Sequence, residues 1–329
     1  MASRESDWEG VRLHVVSGKG GTGKTTVAAA LALALAGQGN RTLLVEVEAR
    51  QGIAQLFDVP PLPYEERKVA VGPGGGDVFA LAVDPEGALL EYLDMFYRLG
   101  RAGRGLRRLG AIDFATTIAP GMRDVLLTGK VYEAARRKKD GRPVYDAVVL
   151  DAPPTGRIAR FLGVNAEVAG LAKVGPIRSQ ADSIMGLLSS PQTAVHLVTL
   201  LEEMPVQETC DAVEELTAAG LPVGGVIVNA VRAPLLKQAD LTAAAQGKLD
   251  RDLVAAGLEA AGVAIRPGVV DALLAEGKDH AARVALEKSG RRTLKGLGLP
   301  TYELPLLAEG VDLGGLYALA EQLCRQGAA

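Results

Sequence analysis

The sequence predicts an α/β fold in which a mainly parallel sheet carries helices on both faces and takes an inserted helical subdomain. Three observations predict it. Short runs of β-branched and aliphatic residues alternate with helical patterns, as β-α-β units require. A glycine-rich turn at 18–23 separates an apolar run from a helical one. A continuously apolar run at 144–150 ends on Asp151, and unbroken apolarity suits a strand covered on both faces.

The elements follow in order. A first strand is predicted at 11–17, then the glycine turn, then a helix from Lys24 to Ala36 stopped by Gly37 and Gly39. Residues 42–47 read as a second strand and 78–83 as another, entered through the turn at 72–77. The strand at 144–150 is bounded by Pro143 and by Asp151-Ala152-Pro153-Pro154. Later strands are expected at 194–200 and 223–228. The helix between them has Pro205 in its first turn and stops at Gly220. A strand at 301–304 and a helix at 313–324 complete the pattern. Segments 85–140 and 162–193 are long, mostly helical and without a clear strand, and are read as helical subdomain segments inserted beside one end of the sheet. With no repeat and no linker rich in Pro or Ser, residues 1–329 are expected to form a single domain.

Composition narrows the function. Hydrophobic residues make up 48% and charged residues 23%, enough apolar material for a sizeable core. A net charge of −3 gives no electrostatic reason to expect a nucleic-acid partner. The polar residues 1–10 do not resemble a secretory signal, and the longest apolar stretch, 27–36, is far short of the roughly twenty residues of a membrane span. A cytoplasmic, soluble protein is expected. The two cysteines, Cys210 and Cys324, form no C-x-x-C pair, so no zinc is expected. Cys210 falls on an apolar stripe with Val206 and Val213 and reads as a core residue.

The chemistry begins at Gly18-Lys19-Gly20-Gly21-Thr22-Gly23-Lys24-Thr25, which matches G-x-x-x-x-G-K-[ST] in full and is followed by Thr26. Its glycines let backbone N–H groups converge on phosphate oxygens, and the following helix points its positive end at the same anions. Lys24 suits the β- and γ-phosphates, and the Thr25 hydroxyl suits Mg²⁺. The strand before it and the helix after it are the context a P-loop NTPase requires. Asp151 stands at a strand end, as a carboxylate holding a magnesium-bound water must; capping a loop turn is the competing reading. Asn229 follows Val226-Ile227-Val228, where its amide suits the edge of adenine, or else makes an ordinary turn. The run Asn229-Ala230-Val231-Arg232 lacks the Asp that accepts from guanine, which favours ATP over GTP.

Together these residues resemble the ATPase family that includes the arsenical-pump-driving ATPases and the targeting factors for tail-anchored membrane proteins. The resemblance spans nearly the whole chain. It rests on the P-loop with its extra lysine, Lys19, and on Asp151-Ala152-Pro153-Pro154-Thr155-Gly156-Arg157 followed by Arg160-Phe161-Leu162. Pro120-Gly121, Glu208-Thr209, Asn229 and Pro305-Leu306-Leu307 fall in the order the family leads one to expect. The resemblance implies a dimer closing around two ATP molecules, with Lys19 crossing to the partner's phosphates. A solvated loop lysine is the competing reading. It also implies nucleotide contacts from Pro305 and Leu306 and coupling to a partner, such as a membrane-protein client.

Departures matter as much. Where the family has an Asp-Pro-Ala-His-like run whose Asp orients the attacking water, this chain reads Glu48-Ala49-Arg50-Gln51. Glu48 keeps the carboxylate and adds one methylene, in a place where displacements of about 1 Å matter. The family's second switch carries a Thr after its Asp and a His where this chain has Ala152 and Arg157. A slow regulatory subunit paired with a paralogue is therefore the alternative to an ATP-hydrolysing homodimer. DNA partition or division-site placement is a third class, against which the mixed polar stretch at 313–329 argues. The apolar patch Leu89, Leu90, Leu93, Met95, Phe96 and Tyr97 reads as core or dimer contact, with a groove for a tail-anchored client as the competing reading, and the run Arg98, Arg101, Arg104, Arg107, Arg108 as a basic surface loop.

Overall fold

In the computed structural model the structure describes residues 6–48, 50–97, 120–171 and 176–329. Eight strands form one sheet in the order β10-β9-β8-β1-β7-β2-β4-β3. These are β1 (Leu13–Gly18), β2 (Thr42–Glu46), β3 (Arg67–Val71), β4 (Asp77–Ala82), β7 (Ala147–Asp151), β8 (Thr193–Thr199), β9 (Val223–Val231) and β10 (Thr301–Pro305). All neighbours pair in parallel except β3 with β4. A separate short hairpin, β5 (Lys138–Lys139) and β6 (Arg142–Pro143), precedes β7.

The four central strands β1, β2, β7 and β8 are buried along their whole length. Helices on both faces explain this. On one face α1 (Lys24–Leu35), α2 (Gly52–Leu56) and the last helix lie over Val16, Leu44, Val149 and Ile227. On the other, α4 (Pro120–Arg136), α5 (Thr155–Leu171), α6 (Pro176–Leu188) and α7 (Glu203–Ala218) cover Leu13, Val15, Val45 and Leu150, with α3 (Pro85–Tyr97) beside α4. Alternate residues of each strand serve the two cores, as a pleat dictates. Helix α1 is apolar all round and buried from Val27 to Ala34, the pattern of a helix sandwiched inside a domain. An extension, α8 (Gln238–Ala245), α9 (Arg251–Ala260) and α10 (Val269–Gly296), follows β9, and α10 returns to pack Leu294 on Val226, Val228 and Val206. Helix α11 (Leu313–Gln326) ends the fold against α1.

Several expectations change. The strand placed at 144–150 begins at Ala147, because Val144 belongs to the turn that joins it to the short hairpin, where its N–H donates to the Arg137 carbonyl. Strand β3 is an exposed antiparallel edge whose alternation with Arg67 and Lys68 gave no strong apolar run. Asn229 does not end its strand: β9 runs on to Val231 because β10 pairs beside it, Pro305 opposite Val231. Cys210 is not a core residue. The buried stripe of α7 is Pro205, Val206, Thr209, Ala212 and Leu216, and Cys210, one helical step from Thr209, is only half-buried. Leu89 packs against the core under α3, while residues 98–108 and Ala49 lie outside the described residues.

Candidate functional site

Strand β1 lies between β7 and β8, so the chain leaves its carboxyl end where the strand order turns outward in both directions. Such a switch point opens a crevice, and the loop at 18–23 fills its rim. Two glycines are there for stated reasons. A Cβ on Gly18 would stand 2.2 Å from the Val198 carbonyl oxygen of β8, so only glycine lets β1 and β8 approach this closely. Gly23 has φ +85°, and a Cβ there would strike the Asn229 amide at 2.4 Å. Gly20 and Gly21 have open space around them, leaving the concave side of the loop clear.

The loop is braced from within and from β9. Thr22, nearly fully buried, donates through N and Oγ1 to the Lys19 carbonyl at 3.3 and 2.9 Å. Asn229 Nδ2 donates to the Thr22 carbonyl at 2.9 Å. The amide donor of Asn229 therefore holds the loop, and Oδ1 remains for an exocyclic amine. Pro305 and Leu306 sit one strand further out, Leu306 N donating to the Val231 carbonyl at 2.9 Å. A cavity of about 160 Å³ adjoins Asn229, lined by Leu201, Glu202, Val231, Arg283 and Glu287 among others. A larger one of about 360 Å³ opens between α3, α4 and α6 and shares no lining residue with the loop.

At the first turn of α1 the Thr25 hydroxyl donates to Asp151 Oδ2 at 2.7 Å. Asp151 is the last residue of β7, placed level with Val16 on β1 and Glu46 on β2. Burial pushes its carboxyl up to about 6; the Thr25 hydrogen bond opposes this, and the Glu46 charge adds to it. Lys24 is lowered by burial, with Asp151 and Glu48 pulling it back up and Arg50 adding to the drop. A buried carboxylate and a hydroxyl, both hard oxygen donors beside a lysine, fit Mg²⁺ with retained waters. Thr26 follows on the same turn, half-buried.

The two switches lean on this centre. Glu48 is half-buried, its carboxylate 3.6 Å from Arg50. Gln51, at φ 56°, clamps the Leu62 backbone through both ends of its amide, at 3.1 and 2.7 Å. Glu46, only 2% exposed, accepts from the backbone N–H groups of Gly52 and Ile53 at 3.2 and 3.5 Å, capping α2. Gly52 in turn lies against Thr25, whose Cγ2 would be 3.2 Å from any Cβ added there. On the second switch, Ser17 Oγ donates to the Pro153 carbonyl at 2.7 Å and Ala152 N to the Val16 carbonyl at 3.0 Å. Lys19 Nζ pairs with Glu208 of α7 at 2.5 Å, and Thr155 Oγ1 donates to the other Glu208 oxygen at 3.4 Å. Helix α4 touches both segments: Arg123 donates to the Val47 carbonyl at 3.4 Å, and Arg157 lies 3.9 Å from Asp124.

Thus Lys24, Thr25, Asp151 and Glu48 gather at the first turn of α1, Lys19 lies in the loop with Asn229 against it, and Pro305 and Leu306 lie one strand further out beside β9. Sequence reasoning missed Glu46, though a carboxylate inside the apolar run Leu44-Val45-Glu46-Val47 is a signal in itself, since burial demands partners for it. It also missed Ser17 and the ties of Arg123 and Asp124, for which the sequence carries no signal.

Comparison with known proteins supplies the family. The anion-transporting ATPase family matches over residues 11–189. The chain is 58% identical over 319 residues to ATPase BagA of Mycobacterium tuberculosis, covering 97% of this chain and 94% of that one. It is 26% identical over 324 residues to the arsenical pump-driving ATPase of Acidiphilium multivorum, covering 91% of this chain and 52% of that protein. It is 26% identical over 249 residues to ATPase GET3 of Kluyveromyces lactis, covering 65% of this chain and 70% of that protein. Among the described residues no helix is long and apolar enough to cross a membrane. A loop shaped for phosphates, a carboxylate on the following threonine, and these likenesses lead to one conclusion: the chain belongs to the anion-transporting ATPase family and is an ATPase.

Proposed function

We propose that the chain binds magnesium-ATP at the 18–25 loop and hydrolyses it to ADP and phosphate as a dimer that couples nucleotide state to a partner protein. The observation that carries this is the Thr25–Asp151 hydrogen bond at 2.7 Å beside Lys24, at the mouth of α1. In this reading the loop amides and Lys24 bind the phosphates. Thr25 and Asp151 would hold the magnesium ion, which supplies charge neutralisation on the β- and γ-phosphates. Glu48 orients the attacking water, the bond to the departing β-phosphate oxygen breaks, and Lys19 of the facing protomer stabilises the charge that develops. Asn229 Oδ1 accepts from the adenine amine, with Pro305 and Leu306 beside the base. Residues 1–329 act as a single P-loop domain. Its inserted helical segments, 85–140 and 162–193, carry the response outward, because Arg123 and Asp124 touch the two switches.

Calorimetric titration with magnesium-ATP tests the site. Replacing Lys24 by Ala is expected to weaken binding by about 2–3 kcal/mol, roughly a hundredfold, through loss of charged hydrogen bonds. Equal affinities for parent and variant would refute the assignment.

One observation favours a second reading, a slow regulatory subunit working beside a paralogue. Glu48 is longer by a methylene than the family's Asp and lies 3.6 Å from Arg50, which draws on its charge. Turnover by the isolated chain of about 1 per second, the low end for phosphoryl transfer, would exclude that reading.

A further inference from the structure

The pair Lys19–Glu208 joins residues 189 apart, on the loop and on α7. Its surroundings show which parts can move. The Lys19 carbonyl is fixed by two bonds from Thr22, so the loop backbone is braced whichever way the lysine points. Glu208 is anchored by its helix: Val206 and Thr209 on either side are buried, and Thr209 Oγ1 donates to the Pro205 carbonyl at 2.8 Å. Both partner side chains are about one-third exposed, 31% for Lys19 and 35% for Glu208. A pair of this kind holds a side chain in place without locking it. The second Glu208 oxygen faces Thr155, which is buried, lies within the second switch and opens α5.

We propose that Glu208 is the positioning residue for Lys19: it holds the lysine within its own protomer while the site is empty and yields it when nucleotide brings two chains together. The proposal rests on the dimeric reading above. Phosphates arriving in the loop place several negative charges near a carboxylate that is repelled by them and an ammonium that is attracted. Release needs only side-chain rotation at Lys19. Glu208 is left facing the Thr155 hydroxyl, so loss of the lysine is felt at the first turn of α5. Without the hold, Lys19 would be available before ATP binds, and association would depend less on nucleotide.

The test uses the full chain and Glu208→Gln, which keeps shape and removes charge. Lys19 in nucleotide-free protein is labelled with an amine-reactive reagent and read by peptide mass spectrometry against Lys68 and Lys278. The expected result is labelling of Lys19 about two- to fivefold faster in the variant, the scale of a partly exposed ion pair, with the reference lysines unchanged. In sedimentation, the ATP concentration for half-association should fall by a similar factor. Glu208→Asp, one methylene short, should lie between and also serves if the first variant does not fold. Unchanged Lys19 labelling overturns the proposal. So does weaker ATP binding by Glu208→Gln in calorimetry, which would make Glu208 a nucleotide contact. If the parent never associates with ATP, the dimeric reading fails and the hand-over with it, whereas association of parent and variant at equal ATP concentrations overturns the hand-over alone.

Discussion

Asp151 and the buried histidines His14 and His196 set opposing acid responses inside one sheet. His14 and His196 stand on adjacent strands with ring nitrogens 3.0 Å apart. Gly225 N–H donates to His196 Nδ1, so His196 carries its proton on Nε2 and donates to His14 Nδ1. Burial lowers His14 from 6.5 to about 4, with the Val11 backbone partly opposing, and burial with the neighbouring ring lowers His196 well below 6.5. A histidine depressed in the fold binds fewer protons than in the unfolded chain. Its contribution is therefore complete above pH 6.5 and is lost as pH falls towards 4. For His14 alone that amounts to about 3 kcal/mol. Asp151, raised by burial from 3.8 to about 6, acts with the reverse sign: the fold binds more protons there, and stability falls as pH rises through that window. The two partly cancel. Nucleotide-free Asp151→Asn should therefore lose stability more steeply than the parent between pH 6 and 4, as measured by denaturant unfolding, and a parallel pair of curves would refute the cancellation.

At the scale of elements, the Glu46 carboxylate ties the first switch to the end of β2. Helix α2 is five residues long, too short to persist by its own propensity. It is held because Glu46, at the end of β2, caps its first two N–H groups, and because Gly52 rests on Thr25. Glu46→Ala removes both acceptors and is expected to cost about 1–2 kcal/mol, the range of a lost helix cap. It should slow ATP turnover more than it weakens ATP binding, because α2 carries the segment that follows Glu48 and leaves the loop intact. Denaturation and steady-state kinetics on one preparation would check both halves; reduced affinity with unchanged turnover would contradict them.

For the whole molecule, the question is how a change at phosphate reaches the surface. Helix α4 packs in the core through Leu126, Leu127 and Val131, and its first turns touch both switches through Arg123 and Asp124. Burial raises the Asp124 carboxyl, and Arg157 with Arg123 opposes that, so the contact is electrostatic as well as steric. Hydrogen exchange at the α4 amides is therefore expected to slow on addition of magnesium-ATP. The response should shrink in an Arg123→Ala, Asp124→Ala double variant that still binds nucleotide. An undiminished response would place the coupling elsewhere.

What could be read in the chain was what lies close together along it. The strand, glycine turn and helix of the loop are contiguous, so backbone preference and phosphate chemistry can be inferred from neighbouring letters, and α1 and the two-sided strands followed from unbroken apolarity. Edge strand β3 and the α8–α10 extension carry weaker patterns, and neither was placed. Only the tertiary structure decided which distant groups meet. The order β9-β8-β1-β7-β2 brings Glu46 level with Asp151 and seats Asn229 on Thr22, and the packing of α7 faces Lys19 with Glu208. Those meetings depend on strand order and helix packing, which arise from long-range burial that no local run of residues encodes.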